Sequence, residues 1–209
     1  ASEADAQVYG RLAGSVIYAN AQRRAAPSVI SRNTLGQPGL WSFAVSGDLP
    51  IVLVRIGDIN RIDLVKQVLQ AHTYWRMKGL LSDLVIVNED FSGYRAELHD
   101  SIIGLINAGP EAQIIDRPGG VFLRRAEELS EEDRVLFQSV ARVVLTDSAE
   151  TLTEQVTRRV PAERVPVRLN PVRQAEAEPQ QPLMVRDRIF SNGLGGFTPD
   201  GREYVITLE

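Results

Sequence analysis

The side chains able to carry chemistry are unevenly supplied in this sequence. It has no cysteine, which excludes thiolate nucleophiles, disulfides and zinc–thiolate sites. Its two histidines are His72 and His99. His72 lies three residues before Trp75, and no second histidine or carboxylate at i+4 completes a metal-ligand pair. The pair therefore reads as a half-buried histidine and a core tryptophan. His99, between Glu97 and Asp100, reads as a solvated surface group. Carboxylates remain. Asp58, then Asn88-Glu89-Asp90, then Asp116 and Asp147 each follow a short apolar run. Such a row could bind Mg²⁺ through oxygen or accept hydrogen bonds from sugar hydroxyls. The same residue types also end strands and cap helices without further purpose. Trp41 offers a flat ring on which a sugar face could stack, although Trp41 and Trp75 are both more simply core residues. The candidate substrate-binding residues are thus Asp58, Asn88, Glu89, Asp90 and Trp41. No catalytic residue, metal site or cofactor is assigned.

Several familiar motifs are missing. The first apolar run is followed by Arg55-Ile-Gly-Asp-Ile-Asn60, which has neither a G-x-G-x-x-G pattern nor a P-loop lysine. Asn192-Gly-Leu-Gly-Gly196 is glycine-rich but leads into another turn, Thr198-Pro-Asp-Gly201, and reads as β-turns, not as a phosphate cradle. There is no Gly-x-Ser-x-Gly elbow, and no pair of carboxylates is singled out as a glycosidase acid and base. With 23 Lys and Arg against 27 Asp and Glu, the net charge is −4, so no nucleic-acid partner is expected. The longest apolar run, Leu49 to Val54, falls far short of the roughly 18 residues that span a bilayer, so no direct membrane insertion is expected.

The elements that would position these residues follow from periodicity. Val8, Leu12, Val16 and Ile17 predict a helix over Glu3–Tyr18. Residues 20–39, with Pro27, Gly36, Pro38 and Gly39, read as a loop or extended arm. Ile51–Ile56 is β-branched and continuously apolar, as a strand buried on both faces must be. Asp63–Lys78 carries Val65, Val68, Leu69, His72 and Trp75 on one broad face and is closed by Gly79, which predicts a helix. A second buried strand over Asp83–Asn88 and a helix over Ser92–Asn107 follow. Ala112–Ile115 and Val121–Leu123 are short strand candidates around the turn at Arg117–Gly120. Ser130-Glu-Glu-Asp133 has the pattern of a helix N-cap with acidic groups at the positive end of the dipole. Val143–Leu145 is a further strand, and Ser148–Arg159 a further helix capped by Asp147 or Ser148.

Strands alternating with helices imply crossover connections, an α/β class and an open, mostly parallel sheet with helices on both faces. In such sheets ligands sit beyond the carboxyl ends of the strands, which is where the carboxylates would lie. The domain organisation read from composition is an N-terminal helix and arm over 1–39 and an α/β sandwich over 40–160. A proline-rich linker follows over 161–187 (Pro161, Pro166, Pro171, Pro179, Pro182). Residues 188–209 resume a strand–turn–strand texture as a β-hairpin-like tail.

Three stretches resemble one family. Gly39-Leu-Trp-Ser-Phe-Ala-Val-Ser-Gly-Asp-Leu-Pro-Ile-Val-Leu-Val-Arg55 resembles a signature of cyclic β-1,2-glucan synthases. Ala71-His-Thr-Tyr-Trp-Arg-Met-Lys-Gly-Leu80 and Asp83-Leu-Val-Ile-Val-Asn-Glu89 resemble the helix and strand that follow it. Phe190-Ser-Asn-Gly-Leu-Gly-Gly-Phe-Thr-Pro-Asp-Gly-Arg-Glu-Tyr-Val-Ile206 is similar to the opening of the family's phosphorylase-like module, of the cellobiose phosphorylase group, where it enters a β-sandwich. The resemblance runs from about Leu12 to Leu208. It implies a large inner-membrane parent that builds β-1,2-glucan from UDP-glucose, cyclises it and trims it by inverting phosphorolysis in an (α/α)₆ barrel. The acid and phosphate-binding residues of that barrel have no counterpart here, and none is carried over.

The expectation is therefore a non-catalytic structural domain that positions other modules of such a parent on the cytoplasmic side of the inner membrane. Residues 188–209 would be the start of a truncated β-sandwich. Two alternatives stay open. One is a β-glucan-binding domain that uses the acidic rim and a tryptophan. The other is a small stand-alone α/β enzyme, which would need a polar cleft with perturbed acids at the strand ends.

Overall fold

The computed structural model describes residues 2–91, 97–147, 151–157 and 187–206. It divides into two compact units, Ala1–Pro161 and Ala162–Glu209. The first is built on four parallel strands, β1 (Ile51–Ile56), β2 (Asp83–Asn88), β3 (Val121–Arg125) and β4 (Val143–Thr146), in the order β3-β2-β1-β4. Ile51 lies opposite Asp83, Leu84 opposite Val121 and Val52 opposite Val143, so β1 and β2 form the middle of the sheet. Both are apolar on both faces because both faces are covered.

The order of strands dictates where the helices go. From β1 to β3 the chain moves steadily across the sheet, and the crossover helices α4 (Ile62–Met77) and α5 (Glu97–Asn107) share one face. The step from β3 to β4 runs back the other way. A right-handed crossover then places α6 (Glu131–Val140) on the opposite face. Two cores result. Val52, Val54, Ile56, Leu84 and Ile86 pack under α4 and α5, together with Leu12 and Val16 of α1 (Glu3–Tyr18) and Leu152 and Val156 of α7 (Leu152–Thr157). Ile51, Leu53, Val85, Val87 and Phe122 pack under Leu136 and Phe137 of α6. The alternation along each strand sorts these side chains between faces.

Local chemistry sets the helix ends. Ser2 and Asp5 form a reciprocal capping box on α1, and Ser130 and Asp133 form another on α6. Thr151, not Asp147, caps α7. Its hydroxyl accepts from the Glu154 amide while the Glu154 carboxylate accepts from the Thr151 amide at 2.7 Å. Residues 20–39 are more ordered than an extended arm. They form a 3₁₀ turn at Ala21–Arg23 and the short helices α2 (Pro27–Ile30) and α3 (Pro38–Trp41), each helix started by proline at its first position. The expected strand over Ala112–Ile115 is instead a 3₁₀ helix, Pro110–Ile114, begun by Pro110, with Ile115 alone bridged to Val121. The turn into β3 needs its glycines. Gly119 has φ +74°, and a Cβ on Gly120 would collide with the Ile114 carbonyl.

The second unit contributes a two-stranded antiparallel hairpin, β5 (Gly195–Phe197) and β6 (Tyr204–Ile206), with Phe197 packed edge-on against Tyr204. The stretch read as a linker, apart from Asp187, lies outside the described residues, as do the first residues of the helix expected from Ser92 and the last of the one expected to reach Arg159. Among the described residues no helix is long and apolar enough to cross a membrane.

Candidate functional site

Parallel pairing brings the ends of β1, β2 and β4 to one edge, and with them Asp58, Asn88, Glu89, Asp90 and Asp147. The switch point of the sheet lies between β1 and β4, where the chain reverses direction, and this is the crevice in which doubly wound folds hold ligands. Here it holds a side chain of the protein itself. The Asp147 carboxylate accepts hydrogen bonds from the backbone amides of Gly57 (2.7 Å) and Asp58 (2.9 Å). Two adjacent amides presented to one carboxylate are an anion site, filled internally.

The neighbouring carboxylates are similarly engaged. Asp58 accepts from the Asn60 amide and carboxamide, both at 2.9 Å, and so ends β1 and starts the 3₁₀ turn at Ile59–Arg61. Asn88 is buried, and its side-chain oxygen accepts from the Asp90 amide at 2.9 Å. Glu89 accepts a bidentate pair from Arg55, Nε to Oε1 at 2.7 Å and Nη2 to Oε2 at 3.2 Å. Arg55 also reaches Gln138 on α6 at 3.4 Å. Gly57 sits where a side chain would press on the Glu89 carbonyl, so β1 and β2 end in close contact. Asp116 does not join this edge. It lies beside the start of β3 at positive φ and pairs with Arg124 at 2.8 Å, because the segment before it is 3₁₀ and not a strand.

The two tryptophans part company. Trp75 is buried, 2% exposed, with its indole N–H donated to the Tyr9 carbonyl at 2.8 Å. Trp41 is 60% exposed, against the expectation of a core residue. In the four-residue helix α3 only Leu40 can face the core, which leaves its neighbour outside. The Trp41 indole N–H donates to the Ser46 carbonyl at 3.3 Å, ahead of β1, and among the described residues it makes no hydrogen bond to Asp58, Asn88, Glu89 or Asp90. The rim and Trp41 are separate features.

A second polar cluster carries no sign in the local sequence pattern. His72 is fully buried, not half-buried. Its Nε2 faces the Ser82 carbonyl at 2.8 Å and its Nδ1 faces Glu111 Oε1 at 3.4 Å. Arg76, one turn along α4, lies 3.6 Å from the same oxygen. Burial pushes the Glu111 carboxyl up, but hydrogen bonding from His72 and Thr73 and the charges of His72 and Arg76 outweigh it and hold it below the usual value. Asp83, at the start of β2, is fully buried. Burial raises its carboxyl despite the hydrogen bond its Oδ1 accepts from the Gly119 amide at 2.7 Å and the nearby His72. Its Oδ2 and the Ser82 hydroxyl have no partner among the described residues. His99 is half-buried, and burial together with Arg125 lowers its basicity; it is not the free surface group its neighbours suggested.

Beside Glu111 the surface opens into a cleft of about 230 Å³ between α4 and the segment from Leu105 to Glu111. Lys66, Gln70 and Thr73 line it from α4 at i, i+4, i+7 spacing, the polar neighbours of the apolar face read from the sequence. Glu111, 39 residues beyond His72, carried no local signal.

No family model matches the sequence. The chain is 29% identical, over 212 aligned positions covering 97% of its length, to "Cyclic beta-(1,2)-glucan synthase NdvB" of Rhizobium meliloti (strain 1021). It spans 7% of the length of that protein. The similarity relates this chain, over nearly all of its residues, to a short stretch of a cyclic β-(1,2)-glucan synthase.

Proposed function

We propose that this chain acts as a non-catalytic α/β domain that positions other modules of a cyclic β-1,2-glucan synthase. In that setting the parent polymerises glucose from UDP-glucose at the cytoplasmic side of the inner membrane, and this domain provides a rigid spacer. The observation that carries the reading is the self-filled switch point. The crevice where a doubly wound sheet would take a substrate is closed by Asp147 on the Gly57 and Asp58 amides, and Glu89 beside it is locked to Arg55. Similarity to NdvB along almost the whole chain supports the setting.

The test is to place Asp58→Ala and Glu89→Ala separately in a synthase carrying this segment. Glucosyl transfer and phosphorolysis are expected to stay within about twofold of the parent. A core-breaking change such as Leu53→Asp should instead alter the size distribution of the glucan. A loss of turnover of roughly a thousandfold from either rim variant, with the fold intact by circular dichroism, would overturn the non-catalytic reading.

A second reading is favoured by one observation, the exposure of Trp41. Its ring is held by the Ser46 carbonyl and borders Gln37, which bonds Asp48 and the same carbonyl. A fixed aromatic face beside polar groups can stack on the C–H face of a glucosyl unit, with the ring quadrupole meeting the polarised C–H bonds. Quenching of Trp41 fluorescence by linear β-1,2-glucan, lost in Trp41→Leu, would establish it. Unchanged emission at millimolar glucan would remove it.

A further inference from the structure

The cleft beside α4 has a donor–acceptor arrangement of its own. On one wall stand the Lys66 ammonium, which has no partner among the described residues, and the Gln70 carboxamide. The Gln70 oxygen accepts from the Tyr9 hydroxyl at 3.1 Å, which fixes the amide's orientation and leaves its two N–H donors unpartnered among the described residues. Beside them, the Thr73 hydroxyl donates to the Leu69 carbonyl at 3.0 Å, which leaves the lone pairs of its oxygen to offer. Glu111 is 2% exposed and is clamped by His72 and Arg76 from behind. Leu69 and Leu105 provide apolar surface between these groups.

We infer that this cleft binds a neutral polyhydroxylated ring, of the size of one sugar residue. Three features select that chemistry. Each hydroxyl both donates and accepts, so adjacent hydroxyls satisfy the Lys66 and Gln70 donors on one side and the Glu111 and Thr73 acceptors on the other. A phosphate or carboxylate would meet Lys66 but also the Glu111 carboxylate. An ammonium would find Glu111 already compensated by Arg76 and His72, with Lys66 on the same wall. The volume, about 230 Å³, lies below the roughly 300 Å³ at which sites for drug-sized ligands begin, which suits a single ring. The buried His72 and Glu111, with the half-buried Arg76, then have a purpose beyond packing: they hold an acceptor rigidly at the cleft, so that little ordering is left for binding. The choice of a glucosyl unit as first probe rests on the proposed relation to a glucan synthase, whereas the class of ligand does not.

The experiment is a heteronuclear NMR titration of the 209-residue chain with glucose, with the β-1,2-linked glucose disaccharide, and with phosphate and glycine as charged comparators. Shifts at Lys66, Gln70, Thr73 and Glu111 with the two sugars alone are expected. Gln70→Ala and Lys66→Ala, both at exposed positions, should each weaken binding about three- to tenfold while leaving the spectrum of the sheet unchanged. Glu111→Gln should weaken it further; since that change touches a buried cluster, the two surface variants remain decisive if it fails to fold. Stronger shifts with phosphate or glycine would overturn the assignment in favour of a charged ligand. Sugar shifts confined to Trp41, or none at millimolar sugar, would overturn it too. None of these results bears on the positioning role, which is judged by turnover in the synthase.

Discussion

Asp147 is the residue on which the closed switch point depends, and Asp147→Ala tests it. The substitution leaves two backbone amides, Gly57 and Asp58, without their carboxylate. A hydrogen bond to a charged acceptor contributes about 1.5–3 kcal/mol when buried. Asp58 is exposed and Gly57 half-buried, so water replaces part of the loss and the lower end applies. The expected destabilisation is about 2 kcal/mol, or a drop in Tm of roughly 4–8 °C for a unit of this size. Asp147→Asn keeps one acceptor oxygen and should lose about half as much. Urea denaturation with unchanged m-value would measure both. The anion argument makes a sharper demand. With the internal carboxylate gone, acetate should stabilise Asp147→Ala relative to wild type at matched ionic strength, rising with the logarithm of its concentration. A loss below about 0.5 kcal/mol, or an equal response of both proteins to acetate, would refute the view that these amides form an anion site held shut by the protein.

Four further outcomes are expected. Acrylamide should quench one tryptophan readily and the other poorly, and Trp41→Phe should remove the quenchable component with little change in stability, given the exposure of Trp41 and the burial of Trp75. Trp75→Ala should cost about 3–5 kcal/mol in thermal or urea unfolding, since it empties a core site and removes the indole hydrogen bond to the Tyr9 carbonyl. The Glu111 carboxyl lies below its ordinary value of 4.5, so its stabilising contribution is present above about pH 4.5 and is lost as the pH falls through the lower folded value; Glu111→Gln should flatten that acid limb in a pH series of urea melts. Asp83 has the opposite sign. Its carboxyl is raised above 3.8, so its contribution is favourable below about pH 3.8 and is lost as the pH rises through the folded value. Asp83→Asn, which keeps an acceptor for the Gly119 amide, should therefore gain stability at pH 7 relative to about pH 3.5, and an equal effect at both would refute the burial argument.

The positions of the strands were readable because burial on both faces demands continuous apolar runs, and Ile51–Ile56 and Asp83–Asn88 satisfy that demand without help from distant residues. The helices were readable from periodicity, as at Glu3–Tyr18, or from a cap pattern, as at Ser130. Pro110–Ile114 differs from expectation because five residues of mixed polarity suit a strand or a 3₁₀ turn equally, and the proline at its start tipped the balance. Trp41 differs because a large apolar residue in so short a helix takes its burial from the direction of the next turn, which composition does not encode.

By itself the sequence determined the α/β class, the order of elements and the placement of Asp58, Asn88, Glu89 and Asp90 at the ends of their own strands, since each depends on interactions between residues near one another in the chain. Tertiary structure alone decided that Asp147 closes the crevice 90 residues from Gly57, that Trp41 stands outside, and that His72, Arg76 and Glu111 meet beside a cleft. Those pairings depend on strand order and on which face each crossover helix covers. A hydrogen bond between groups so far apart in the chain leaves no periodic trace, because its geometry exists only once the sheet has assembled.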